Sequence, residues 1–149
     1  MAENKDTEAL TTLFKIVIPD LRDMVFTSCE GLESEIEVES LFEGGSLAAP
    51  KTVRGPQKVN KITFGHGTSG DKGGKSLFDW YLEVCDSSKE LQKKVISIMV
   101  IDRDGKELAE WRVKNAWPCR WVAPMMSRDL SALSIETISF AHEGIERKK

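Results

Sequence analysis

Strand-type alternation runs through most of the chain. LFKIVI (13–18) sets Phe14, Ile16 and Ile18 on one side with Lys15 opposite, and MVFTSC (24–29) follows the turn PDLRD. SEIEVES (34–40) is the clearest two-sided strand. Ile36 and Val38 face one way and Glu35, Glu37 and Glu39 the other, the mark of a sheet with one dry and one wet face. KVNKITF (58–64) resumes the pattern after an aperiodic stretch, FEGGSLAAPKTVRGPQ (42–57), which reads as a long Gly/Pro-rich loop. Loops of that length in compact domains are uncommon and usually functional or disordered.

A glycine-rich decapeptide, GTSGDKGGKS (67–76), leads into the one helical pattern. Ser76 with Asp79 three residues on forms a capping-box-like start. Leu77, Tyr81 and Val84 then share a face, flanked by Phe78, Leu82 and Cys85, and DSSKELQKK (86–94) prolongs or closes the helix. VISIMVI (95–101) is apolar on both sides and asks for cover on both. The Asp-Gly turn in DRDGK (102–106) returns the chain as ELAEWRVKNAW (107–117), an antiparallel hairpin. CRWVAPM (119–125) and LSIETISFAHEG (133–144) complete the set, the latter with a bulge or face switch near Thr137. About eight strands and one helix predict a mainly β class: an antiparallel barrel or sandwich with a single flanking α-helix. Residues 1–149 read as one domain, preceded by a flexible polar stretch at 1–12.

Charge narrows the partners. Lys plus Arg number 21 against 24 Asp plus Glu, a net charge of −3. Direct recognition of nucleic acid calls for a basic stripe, and the basic residues are scattered. MAENKDTEALTT has neither a basic start nor an apolar core, unlike a signal peptide. Three widely spaced cysteines (Cys29, Cys85, Cys119) without a C-x-x-C pair predict thiols that fill the core of a protein made in a reducing cytosol. His66 and His142 bring no further ligands at metal-site spacing, so no metal or cofactor is expected.

The decapeptide tests the one enzymatic reading with a motif behind it. A phosphate-binding P-loop needs G-x-x-x-x-G-K-[ST] so that backbone N–H groups enclose the phosphate. Gly74-Lys75-Ser76 supplies the end, but Ser69 stands where the first glycine belongs. Strands in series also disagree with the alternating strand–helix order of such folds. The acidic row Glu35, Glu37, Glu39 is the pattern of a solvated strand face rather than a catalytic pair. Trp80, Trp111, Trp117 and Trp121 fit core and interface anchoring better than a stacking platform.

Several stretches together resemble a family. GLESEIEV (31–38), the Glu-Gly-Gly that opens the long loop (43–45), KITFGHGTSGD (61–71), LFDWY (77–81), DRDGKELAEWRVKNAWPCRW (102–121) and SIETISFAHEGIE (134–146) occur in that order. They are similar to the tail-tube proteins of contractile-tailed phages, and more closely to inner-tube subunits of extracellular contractile injection systems of the antifeeding-prophage and virulence-cassette kind. The resemblance implies a β-barrel subunit with one flanking helix, hexameric rings stacked into a hollow tube, and no catalysis. The partners it implies are other copies of the chain, a sheath protein, baseplate, hub and cap proteins, and lumenal cargo. Synthesis would be in the bacterial cytoplasm, with assembly into a phage tail or a released tail-like particle.

Elementary physics fits those expectations. Edge strands must be hidden, and edges that pair head-to-tail around a closing rotation give a ring. The wet face would line the lumen, which makes Glu35, Glu37 and Glu39, with Glu110, Arg112 and Lys114, lumen-facing candidates. The 42–57 segment would order on arrival of the next ring, with Leu47 and Val53 as apolar anchors and Arg54 as a polar one. A secreted ring protein of a type VI-like secretion system and a small-molecule-binding β-barrel are the alternatives.

Overall fold

The computed structural model describes residues 13–21, 23–45, 49–67, 72–123 and 135–149. These form ten strands and one helix: β1 (Leu13–Val17), β2 (Met24–Phe26), β3 (Ser28–Glu30), β4 (Ser34–Leu41), β5 (Lys51–Val59), β6 (Ile62–Gly67), α1 (Lys72–Cys85), β7 (Lys94–Ile101), β8 (Glu107–Val122), β9 (Ile135–Ala141) and β10 (Gly144–Arg147). The 1–12 stretch, Leu47 and Leu133 lie outside the described residues.

Every strand pairing is antiparallel, in the order β2-β1-β7-β8-β9-β6-β3, with β10 alongside β8. The two ends of that path are the two halves of 24–30. The chain breaks at Thr27, whose N–H donates to the Gly65 carbonyl at 3.0 Å. One half then pairs with β1 and the other with β6, so the sheet closes on itself as a barrel, which removes its edges.

Inward side chains follow the strand period. Ile16, Met24, Phe26, Ile62, Phe64, Ile96, Ile98, Val113, Ile138 and Phe140 are buried together. The Phe64 ring lies 5.3 Å from Phe26 and 5.8 Å from Phe140, centroid to centroid. Leu77 and Trp80 of α1 join the same core, and Trp80 sits 5.8 Å from Phe140. These rings occupy the barrel interior that a small-molecule chamber would need.

Local chemistry overrides the sequence pattern at several points. The aperiodic 42–57 segment is not a loop throughout: residues 51–59 form β5, paired with β4. Its Gly55-Pro56 marks a bulge rather than a break, because Glu37 faces two residues where Ile36 pairs with Gln57 and Val38 with Arg54. A Cβ at Gly55 would stand 2.9 Å from the Glu37 Cβ. The run 107–117 and the first part of the next, to Val122, are joined as one strand of 16 residues, β8. Buried Pro118 sits at its register shift, a position that asks no N–H of the ladder.

The helix starts at Lys72, four residues before Ser76. Two glycines in its first turn cost helix propensity, about 1 kcal/mol each at an interior site, and the packing of Leu77 and Trp80 outweighs it. Trp80, buried to 3 % exposure, replaces Tyr81 at the centre of the packed face, and Leu82 is exposed. The helix closes at Cys85, beyond which the Asp86 carboxylate accepts from the Ser88 N–H. No register shift occurs near Thr137 on the β6 side. The break falls instead at His142 and Glu143, between β9 and β10. Cys29 and Cys119 are half-buried, whereas Cys85 is exposed and fills no core.

Candidate assembly interface

Strands β4 and β5 form a two-stranded sheet of their own, apart from the barrel. A lone hairpin of this kind is marginal in water. The dry side expected for SEIEVES is not dry within one chain: Ile36 is 50 % exposed and Val38 68 %.

Register assigns the faces, since directly opposed residues project to the same side. Ile36 and Val38 share one face with Gln57 and Arg54. Glu35 and Glu39 share the other with Lys58 and Val53, and the Leu41–Lys51 pair continues it to the tip. Glu37 lies on this second face too, by strand alternation, and pairs with the Lys58 ammonium. The sequence-derived lumen and stacking residues are therefore not two regions. Glu35, Glu37 and Glu39 lie along the base and middle of one hairpin face. Val53 stands opposite Glu39 on that face, and Arg54 projects from the other side.

Exposed apolar side chains stand near the far end of the hairpin. Leu41, Phe42 and Val53 are all exposed, Phe42 to 80 %. Lys51 pairs with Glu43 beside them at 3.0 Å. Sequence reasoning passed over Leu41 and Phe42. The available sign was an aromatic–aliphatic pair closing a strand just before Glu-Gly-Gly.

At the other end the hairpin is clamped. Gly31 adopts φ +82° against Lys61, and any Cβ there would overlap the Lys61 carbonyl oxygen. The Glu33 N–H donates to the Gly31 carbonyl at 2.8 Å. The Asn60 side-chain amide donates to the Glu33 carboxylate, and Nε2–H of buried His142 donates to the Asn60 carbonyl at 2.8 Å. Glu143 accepts from Lys93 Nζ and Asn115 Nδ2, both at 2.6 Å. These bonds, led by that from Lys93, hold the Glu143 carboxyl below its ordinary pKa of 4.5.

Glu110, Arg112 and Lys114 share an outer barrel face with Glu146, which lies opposite Arg112. Lys114 stands 3.9 Å from Glu146, and Lys148 stands 3.3 Å from it. Hydrogen bonding from Lys148, ahead of its charge, lowers the Glu146 pKa. Burial, followed by the neighbouring Glu30 charge, pushes the Cys29 thiol up to about 11, where it has little thiolate character. A groove of about 490 Å³ beside α1 is lined largely by charge, with Asp20, Glu83, Glu90, Lys89 and Lys94 around Trp80. Among the described residues no group of three or more His, Cys, Asp or Glu could hold a metal ion.

The described residues thus form a closed barrel carrying a separate two-stranded hairpin with exposed apolar side chains. The chain belongs to the family of the T4-like virus tail tube protein gp19, whose profile matches residues 10–146. It is a tail tube protein, a structural and non-enzymatic component.

Solved structures show the same fold. A chain of the PVC sheath–tube complex in its extended state, from an extracellular contractile injection system, matches with a TM-score of 0.75 and 21% identity over 91% of this chain and 87% of its own. A chain of the anti-feeding prophage cap matches at 0.75 and 20% over 91% and 87%. Hcp1 from Flavobacterium johnsoniae is less similar, at 0.54 and 17% over 91% and 94%. No curated protein matches the chain.

Proposed function

We propose that the chain forms hexameric rings that stack into the hollow inner tube of a contractile injection system or phage tail. Ile36 and Val38 carry this proposal: two strand residues half to two-thirds exposed on a hairpin that, among the described residues, no other strand supports. Covering each side chain fully contributes roughly 1.5–3 kcal/mol, and a ring presents the same hairpin six times. The acids Glu35, Glu37 and Glu39 line the lumen. The tip, with Leu41, Phe42, Val53 and the flanking Arg54, reaches the adjacent ring, and Leu47 belongs to the same contact.

A sheath outside, a cap and a baseplate at the ends, and cargo within are the partners this position requires. Relatives of the same fold come from sheath–tube, cap and baseplate complexes. The subunit is made in the bacterial cytoplasm before assembly. The greater likeness to the injection-system chains than to Hcp1 favours the tube over a secreted ring protein.

Negative-stain microscopy of the purified chain tests this. Wild-type protein gives rings and tubes, whereas Ile36→Lys with Val38→Lys leaves folded single chains. Wild-type protein that stays a single chain at every concentration, alone and with its operon partners, would end the proposal.

A further inference from the structure

Three of the stretches that distinguish the sequence meet at one place, the base of the hairpin. GLESE supplies Gly31 and Glu33, NAWP supplies Asn115, and AHEG supplies His142 and Glu143. From the geometry we infer that they form a joint that fixes the angle at which the hairpin leaves the barrel, with His142 as its positioning residue. The consequence for assembly rests on the ring-and-tube reading above.

The connections run in series from barrel to hairpin. Lys93, just before β7, and Asn115 of β8 hold Glu143 through both carboxylate oxygens, and the Glu143 N–H donates to the Lys114 carbonyl at 3.0 Å. Asn115 takes φ +50° to present its amide there. Glu143 so held sets its neighbour His142, whose Nε2–H reaches the Asn60 carbonyl at 2.8 Å. Asn60 follows β5 and also grips Glu33, which precedes β4. Gly31 and Lys61 meanwhile press the two hairpin legs into backbone contact. Both legs are thus bound to each other and to the break between β9 and β10.

The tautomer follows from the partner. A carbonyl only accepts, so the proton is on Nε2, and Nδ1 is buried facing no donor among the described residues. The ring is held for what Nε2 does. Leverage makes one bond matter. Eight residues of β4 extend for about 27 Å, so a 10° error at the base moves the tip by about 5 Å. Hydrogen-bonded contacts tolerate about 0.5 Å. A hairpin free to swing would search many orientations before meeting its neighbour, and one held at a fixed angle meets it already aimed.

Two substitutions separate aiming from mere packing. His142→Leu keeps apolar bulk and removes the donor, while His142→Gln restores a side-chain N–H near the Nε2 position. Each is compared with wild type for assembled fraction by size exclusion, for thermal midpoint, and for the distance distribution between spin labels. Assembled fraction and melting are measured on unlabelled protein; for the distances alone, labels sit at Val38→Cys on the hairpin and Arg103→Cys on the barrel, with the three native cysteines changed to Ser. The distances are read on the fraction eluting as single chains.

The expected result for His142→Leu is a broadened distribution and an assembled fraction lowered at least tenfold, with a cooperative melt shifted only a few degrees. His142→Gln is expected to restore both. An unchanged distribution in His142→Leu overturns the inference. So does a His142→Gln chain that folds but remains as broad as His142→Leu. If the wild-type chain never assembles, the ring reading fails by itself, and the distance distributions still decide the joint.

Discussion

At Gly31 one hydrogen atom is all the fold leaves room for. Its φ of +82° disfavours any L side chain, by roughly 1–2 kcal/mol from handedness alone. The Lys61 carbonyl oxygen occupies the place of a Cβ. Gly31→Ala should therefore lower stability in denaturant titration by more than that handedness cost, because the hairpin legs must part as well. An unchanged midpoint would mean that the legs separate freely. Gly45 and Gly105 also lie at positive φ, but with open space where a Cβ would be. Alanine is expected to be milder at both, which separates steric crowding from backbone conformation.

The hairpin shows what a strand pattern discloses and what it conceals. The alternation of 34–40 marked β4 and its acidic face correctly. It could not say that the apolar face would lie bare in a single chain, because alternation alone does not say what covers a face. β5 was illegible for a different reason. KTVRGPQKV carries a glycine and a proline, residues that ordinarily punctuate strands, and here they serve the bulge opposite Glu37. Pro118 hid the continuity of β8 in the same way. Periodicity left barrel and sandwich open, whereas the antiparallel strands and the helix were readable because their periodicity is local. The joint was not, since Gly31, Asn60 and His142 are brought together only by the closed sheet.

The break between β9 and β10 also has a pH signature. The Glu143 carboxyl is held below its ordinary 4.5 by Lys93 and Asn115. Its contribution is therefore fully present above that value and fades as pH falls through the lower folded-state pKa. Glu143→Gln should be less stable than wild type near neutrality. The gap between the two denaturant midpoints should close on acidification through the range below 4.5. A gap that persists unchanged at low pH would show that the carboxylate charge plays no part.

At the scale of the whole molecule, the proposed ring assigns different surroundings to the two hairpin faces. Cysteines placed at Glu35 and Glu37 in assembled tubes should react with a small maleimide and resist one too bulky for the bore. In the unassembled variant Ile36→Lys with Val38→Lys they should react with both. Rapid modification of tubes by the bulky reagent would move these carboxylates to the outside. Arg112 and Lys114, beside Glu146 on the barrel exterior, provide a second pair of positions for the same comparison.

β8 has a mechanical consequence. Its sixteen residues extend for roughly 50 Å, laced to β7 along one margin and to β9 and β10 along the other. Thrust along that strand loads many lateral bonds in shear at once, where a shorter strut would peel them singly. In the proposed tube, a subunit reinforced in this manner would resist buckling under lengthwise load.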